Sequence, residues 1–94
     1  MTGVSDIQQF TGSSLRERIR RVCKENVVLG VPLEELRDST DLYRAGMSSH
    51  ASVLLMVALE NEFGVEFPDG MLSRDVFESI DSIATAIESV QQQQ

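Results

Sequence analysis

Cysteine occurs once in these 94 residues, histidine once and tryptophan not at all, and 8 basic residues face 15 acidic ones. Each shortage closes off a class of function. A lone Cys23 cannot form an internal disulfide, and it reads as a small buried hydrophobe because no activating partner accompanies it. No metal-ligand spacing and no phosphate-cradling glycine-rich loop occurs, so a metal centre or nucleotide fold is not expected. A net charge of -7 removes the basic footprint that nucleic-acid binding requires. No stretch approaches the roughly 18 consecutive apolar residues of a membrane span, and no signal-peptide run opens the chain. The expectation is a cytoplasmic monomer, away from membranes. A hydrolase is equally hard to assemble. The one histidine, His50, follows Ser49 directly and would stand about 100° from it around a helix, while Cys23 with His50 has no supporting motif. The chain is not expected to be an enzyme.

What remains is an ordinary hydrophobic share of 41% with 5% aromatics, enough for one modest core of Leu, Ile, Val, Met and Phe. The apolar residues recur at helical spacing. Residues 1–12 read as a flexible lead-in whose Ile7 and Phe10 could dock on the first helix, 13–90 as one folded domain, and 91–94 as a polar tail. A capping box at Ser14-Leu15-Arg16-Glu17 and the stripe Leu15, Ile19, Val22, Val27 predict a helix from Ser14 to Leu29. Arg16, Arg18, Arg20, Arg21 and Lys24 cluster on it, and a solvated face explains them better than a binding patch. Gly30 and Pro32 stop that helix. The long connection over 31–47 is expected to be folded, with one turn at Pro32–Leu36 and with Leu33, Leu36, Leu42 and Tyr43 pinning it to the bundle. A second helix follows, capped by Ser48 and ended at Phe63-Gly64, with Ser52, Met56, Leu59 and Phe63 read as its core side. Leu72–Phe77 leaves room for a short helix. Ser79 caps a last one whose stripe is Ile80, Ile83, Ala84, Ile87 and Val90. The predicted fold is all-α: three main helices plus a short one, with a long loop between helices one and two.

The chain is organised around Asp41–Phe63, where a polar loop runs through Gly46 and two serines straight into an apolar helix. Ser49 stands where loop becomes helix. The unpaired N–H groups and the positive dipole end of a first helical turn favour a phosphate attached there. Gly46-Met47-Ser48-Ser49-His50 resembles the Gly-x-Asp-Ser-Leu signature of the acyl carrier proteins. Thr40-Asp41-Leu42, Val53 through Phe63 with Gly64, Val65-Glu66-Phe67-Pro68 and Phe77-x-Ser79-Ile80 are similar to the family at the right separations, so the resemblance spans roughly Leu15 to Val90. It implies that Ser49 carries 4'-phosphopantetheine, donated from coenzyme A by a phosphopantetheinyl transferase, and that the domain moves acyl or aminoacyl thioesters between enzymes.

The departures are informative. Ser48 replaces the usual aspartate and His50 the usual leucine, while Ala51 and Leu54 occupy positions that are commonly acidic. This spelling, with Glu66-Phe67-Pro68-Asp69, Leu72, Arg74, Phe77 and Ser79-Ile80, resembles stand-alone aminoacyl carriers charged by ligases similar to seryl-tRNA synthetases. A fatty-acid or polyketide-type carrier is the alternative, and an unmodified helical protein-interaction module is the alternative of another class. His50, Leu54, Val57 and Asn61, away from the expected core side, are candidate docking residues for the ligase and for downstream acceptor enzymes. Acidity is uneven: residues 1–37 hold six basic and five acidic side chains, and 38–94 hold two and ten. That excess either steers basic partners to the Ser49 half or simply keeps it soluble.

Overall fold

Helix α1 (Gly12–Asn26) is the element against which both other long helices, α2 (Ser49–Phe63) and α3 (Ile80–Gln93), pack. The computed structural model describes residues 12–93, and no strand occurs among them. The expected lead-in, Ile7 and Phe10 included, lies outside the described residues except for Gly12. Ile19, Val22 and Cys23 form the buried stripe of α1, flanked by half-buried Leu15 and Val27. The helix ends at Asn26, three residues before the predicted stop. Asn26 turns its amide back to the Val22 carbonyl at 2.7 Å, and the β-branched pair Val27-Val28 resists a further turn. At the other end Ser14 lies inside the helix and is not its cap.

The connection from α1 to α2 is folded as expected. A 3-10 turn covers Leu33–Glu35 behind Pro32, Leu33, Leu42 and Met47 are buried, and Leu36 and Tyr43 are half-buried against the core. Polar tethers complete it. Arg20 of α1 donates to the Leu33 carbonyl at 3.1 Å and the Leu36 carbonyl at 2.8 Å while its Nη2 also meets Asp38 Oδ1 at 2.8 Å. The Asp38 carbonyl in turn accepts the Asp81 N–H at 3.0 Å, and Leu42 N–H donates to the Glu78 carbonyl at 2.6 Å, so the loop is also bonded to the entry of α3. The basic cluster on α1 is thus no free binding patch: Arg21 and Lys24 stand on a solvated face, as expected, but each of its cations is held in an ion pair. Arg16 pairs with Asp81, Arg18 and Arg21 with Glu62, Arg20 with Asp38, and Lys24 with Glu34.

Helix α2 has the predicted ends. Ser48 Oγ accepts the Ala51 N–H at 3.0 Å, and Gly64 at φ 64° closes the other end in the left-handed conformation. Its buried face differs from the expected one. Leu55 and Leu59 are fully buried, whereas Met56 and Phe63 are only half-buried and Ser52 is partly exposed. The reason lies in the sequence: from Ala51 to Leu59 only Ser52 is polar, so no polar face fixes the rotation of the helix, and the phase is set by α1.

Beyond Gly64 the chain alternates, with Val65 and Phe67 buried and Glu66 and Pro68 exposed. Phe67 N–H donates to Glu60 Oε2 at 2.8 Å, and its ring meets Phe77 edge to face at 5.5 Å. The expected short helix is a single 3-10 turn at Asp69–Met71, earlier than predicted, and Ser73–Phe77 forms overlapping turns. Helix α3 begins with a reciprocal cap: Ser79 Oγ accepts Ser82 N–H and Ser82 Oγ accepts Ser79 N–H, both at 3.0 Å. Ile80, Ile83, Ala84, Ile87 and Val90 are all buried, as predicted. The helix continues to Gln93, with Gln91 and Gln92 exposed.

Gly46 holds φ +121°, and a Cβ on it would stand 3.0 Å from the Gly30 nitrogen. Strain of this kind costs about 1–3 kcal/mol. Gly46→Ala should lower the denaturation midpoint accordingly. Gly70→Ala, where an added Cβ meets nothing within 4 Å, should not. Equal midpoints for the two variants would show that the loop does not depend on this turn.

Candidate functional site

Ser49 is the first residue of α2 and is exposed, as are Ser48 before it and His50 after it. The local chain explains the placement. Gly46 turns the loop, buried Met47 anchors it, and Ser48 spends its side chain on the cap and leaves Ser49 free of that task. With Ala51 N–H bonded to Ser48 Oγ and Ser52 N–H to the Ser48 carbonyl, the N–H groups of Ser49 and His50 are the first-turn donors with no carbonyl a turn earlier to receive them. No acidic side chain sits in that turn. The end of α2 is thus positive and uncontested, which suits a phosphodiester on the Ser49 hydroxyl.

Three of the candidate docking residues share the outer face of α2 near Ser49: His50 is exposed, Leu54 is 48% exposed and Val57 45%. Asn61 is exposed further along. Val53, at 54% exposure, belongs to the same surface and was missed because the assumed rotation of the helix was wrong. Ala51 is half-buried against the core, so it is not a free surface position. Neither acid of α2 is uncommitted. Glu60 is bonded to Phe67 N–H, and Glu62 receives both Arg18 and Arg21.

Next to that surface, and sharing Val53 with it, a groove of about 520 Å³ opens between α2 and the 72–77 segment. Ser49, Ser52, Val53 and Met56 line one wall, Leu72, Ser73, Arg74 and Phe77 the other, with Tyr43 between them and the loop. The volume is that of a small-molecule site. Nothing in the sequence's periodicity marked it, since Tyr43 and Arg74 are brought together only by the fold. Cys23 is far removed in character: it is 2% exposed and burial pushes its thiol up to about 12. It cannot act with exposed His50.

Comparison with known proteins gives the class. The model of the phosphopantetheine attachment site family matches residues 13–87. The chain belongs to this family of carriers, whose prosthetic group is covalently attached 4'-phosphopantetheine. Among curated proteins it is 40% identical over 72 residues to the aminoacyl carrier protein of Agrobacterium fabrum strain C58, covering 77% of this chain and 87% of that one. Among solved structures it resembles a chain in the crystal structure of an engineered Bradyrhizobium japonicum glycine:[carrier protein] ligase complexed with carrier protein from Agrobacterium tumefaciens and ATP. There the TM-score is 0.78 at 38% identity, over 81% of this chain and 99% of that chain. A solution structure of an A. tumefaciens protein matches at TM-score 0.67 and 38% identity, over 82% and 93% of the two chains. These likenesses also agree with the all-α fold. No helix among the described residues is long and apolar enough to cross a membrane.

The buried Cys23 gives a pH test. Its folded-state value is raised from the ordinary 9.0 to about 12, so the folded chain holds this proton where the unfolded chain has lost it. Any stability linked to it is intact below about pH 9 and falls as pH rises from there toward 12. Cys23→Ala should flatten that part of the stability profile, and a thiol reagent at pH 8 should leave Cys23 of the native apo-protein unmodified. Rapid native labelling, or identical profiles, would contradict the burial.

Proposed function

We propose that this chain is an aminoacyl carrier, with 4'-phosphopantetheine attached at Ser49 by a phosphopantetheinyl transferase and cargo loaded by a dedicated amino acid:carrier-protein ligase. The observation that carries the proposal is an exposed serine at the positive end of α2, with the neighbouring Ser48 occupied as the cap. The arm, donated from coenzyme A, supplies the terminal thiol on which cargo is carried as a thioester. The chain's own residues do three other things. Ser49 Oγ offers the attachment point, and the first-turn donors of α2 favour the phosphate there. The Val53, Leu54 and Val57 surface with His50 and Asn61 offers partners an apolar face. The core and the loop tethers keep Ser49 in register with that face.

A ligase similar to seryl-tRNA synthetases is the proposed loading partner, supported by the carrier relative and by the ligase complex in which a similar chain occurs. Enzymes that accept the aminoacyl group act next. No residue of the chain is assigned a catalytic part, and the protein is proposed to work as a monomer in the cytoplasm.

The attachment is tested by intact mass after incubation with coenzyme A and a broad-specificity transferase. Ser49→Ala should abolish the mass gain. Ser48→Ala should keep it while losing about 0.5–2 kcal/mol of stability with the cap. The reverse pattern would move the site to Ser48, and no gain in the wild type would leave an unmodified interaction module.

The cargo and docking face are tested on the holo-protein. Glycine or alanine should be loaded by the ligase far faster than malonyl or long acyl groups are loaded by fatty-acid enzymes. Leu54→Glu with Val57→Glu should slow aminoacylation at least about tenfold, equivalent to roughly 1.4 kcal/mol of lost recognition, without changing the fold. Efficient fatty acylation with no aminoacylation would sink the cargo reading. Unchanged aminoacylation in the double variant would show that the ligase does not read this face.

A further inference from the structure

Eight cationic side chains serve the whole sequence, and five of them, all on α1, are consumed in ion pairs. Of the other three, Arg37, Arg44 and Arg74, only Arg74 lines the groove that Ser49 shares. Its guanidinium lies 4.0 Å above the centre of the Tyr43 ring and, among the described residues, has no carboxylate within ion-pair distance. Stacking on a ring occupies the face of a guanidinium and leaves its edge, with the N–H donors, available. Tyr43 is half-buried in the loop that delivers Ser49, so the stack fixes the cation to the same structural unit as the attachment point.

We infer that Arg74 is a positioning residue for the prosthetic arm: its guanidinium edge takes the phosphodiester joined to Ser49 and so directs the start of the arm into the groove rather than into solvent. This rests on the reading of Ser49 as the attachment site. The charge logic is simple. The phosphodiester is the fixed anion of the arm, Arg74 is the one cation on the walls of the groove, and planar N–H forks match phosphate oxygens in pairs. The first turn of α2 contributes donors from one side, and Arg74 supplies the formal charge from the other. Neither Leu72, Ser73 nor Phe77 on that wall can do this.

The test compares apo and holo wild type with holo R74Q and R74K by intact mass and by NMR. In fully loaded wild-type protein, the Arg74 Nε–H resonance and the amides of Ser73–Phe77 should shift from their apo positions. The phosphorus resonance should differ between wild type and R74Q, with R74K between them. The difference should shrink in about 1 M salt, where the screening length is about 3 Å. Full mass gain with an unshifted Arg74 resonance, or with the same phosphorus resonance in wild type and R74Q, overturns the inference and leaves Ser49 as the attachment site. Absence of any mass gain removes the attachment reading and this inference with it. The wild-type comparison needs no variant to fold.

Discussion

Presentation of Ser49 depends on holding the chain between Asn26 and Ser49 in one conformation, although only Leu33–Glu35 within it is regular. Ordering backbone costs about 1–2 kcal/mol per residue, while one fully buried leucine returns about 1.5–3 kcal/mol. Leu33, Leu42 and Met47 alone are therefore too few for so long a connection. Arg20 makes up part of the difference. One side chain, 26% exposed, satisfies two loop carbonyls and a carboxylate, and hydrogen bonds to a charged group contribute about 1.5–3 kcal/mol each against about 0–1 for an exposed ion pair. It ties the loop to the helix that both α2 and α3 pack on. The same guanidinium explains why the loop needs no strand or long helix of its own.

The legible parts of the sequence were those where a single residue type has one good use. Ser48 before an apolar run, Gly64 after it, and proline at the head of the Leu33–Glu35 turn each solve a backbone problem that few residues solve. The stripe of α3 was legible because Asp81, Ser82, Thr85, Glu88 and Ser89 mark its outer side. Helix α2 was legible only in part: Leu59 is buried and Leu54 and Val57 are exposed, as expected, but an apolar residue stands on every side of its middle, so that buried Leu55 and exposed Val53 look alike. Long-range partners were also hidden. That Arg20 serves the loop, that Arg16 meets Asp81, and that Arg74 stacks on Tyr43 follow from separations of 18, 65 and 31 positions that no local pattern encodes. The Ser79–Ser82 cap was half visible, since Ser82 does the work usually expected of Glu or Gln.

These partnerships change the meaning of the charge distribution. The second half of the chain is strongly acidic, which by itself suggests that basic partners are drawn to Ser49. Yet Asp38, Glu62 and Asp81 are engaged by the arginines of α1, Asp41 Oδ1 accepts the Tyr43 N–H, and Glu60 holds the Phe67 amide. On α2, every carboxylate already has a partner. The surface beside Ser49 is accordingly apolar and not acidic. Its exposed Val53, Leu54 and Val57 would weaken solubility if they stood for no purpose, and the remaining acidity elsewhere offsets that risk. Partner choice on such a face is decided by shape and burial at close range more than by steering from a distance, because desolvation of valine and leucine acts only at contact while charge acts over a screening length. An enzyme that expects carboxylates along α2 would find its own cations desolvated without partners, a cost that excludes it as effectively as a clash. Exposed Leu54 thus offers such a partner apolar surface and no carboxylate, whereas half-buried Ala51 is packed against the core and takes no part in that face.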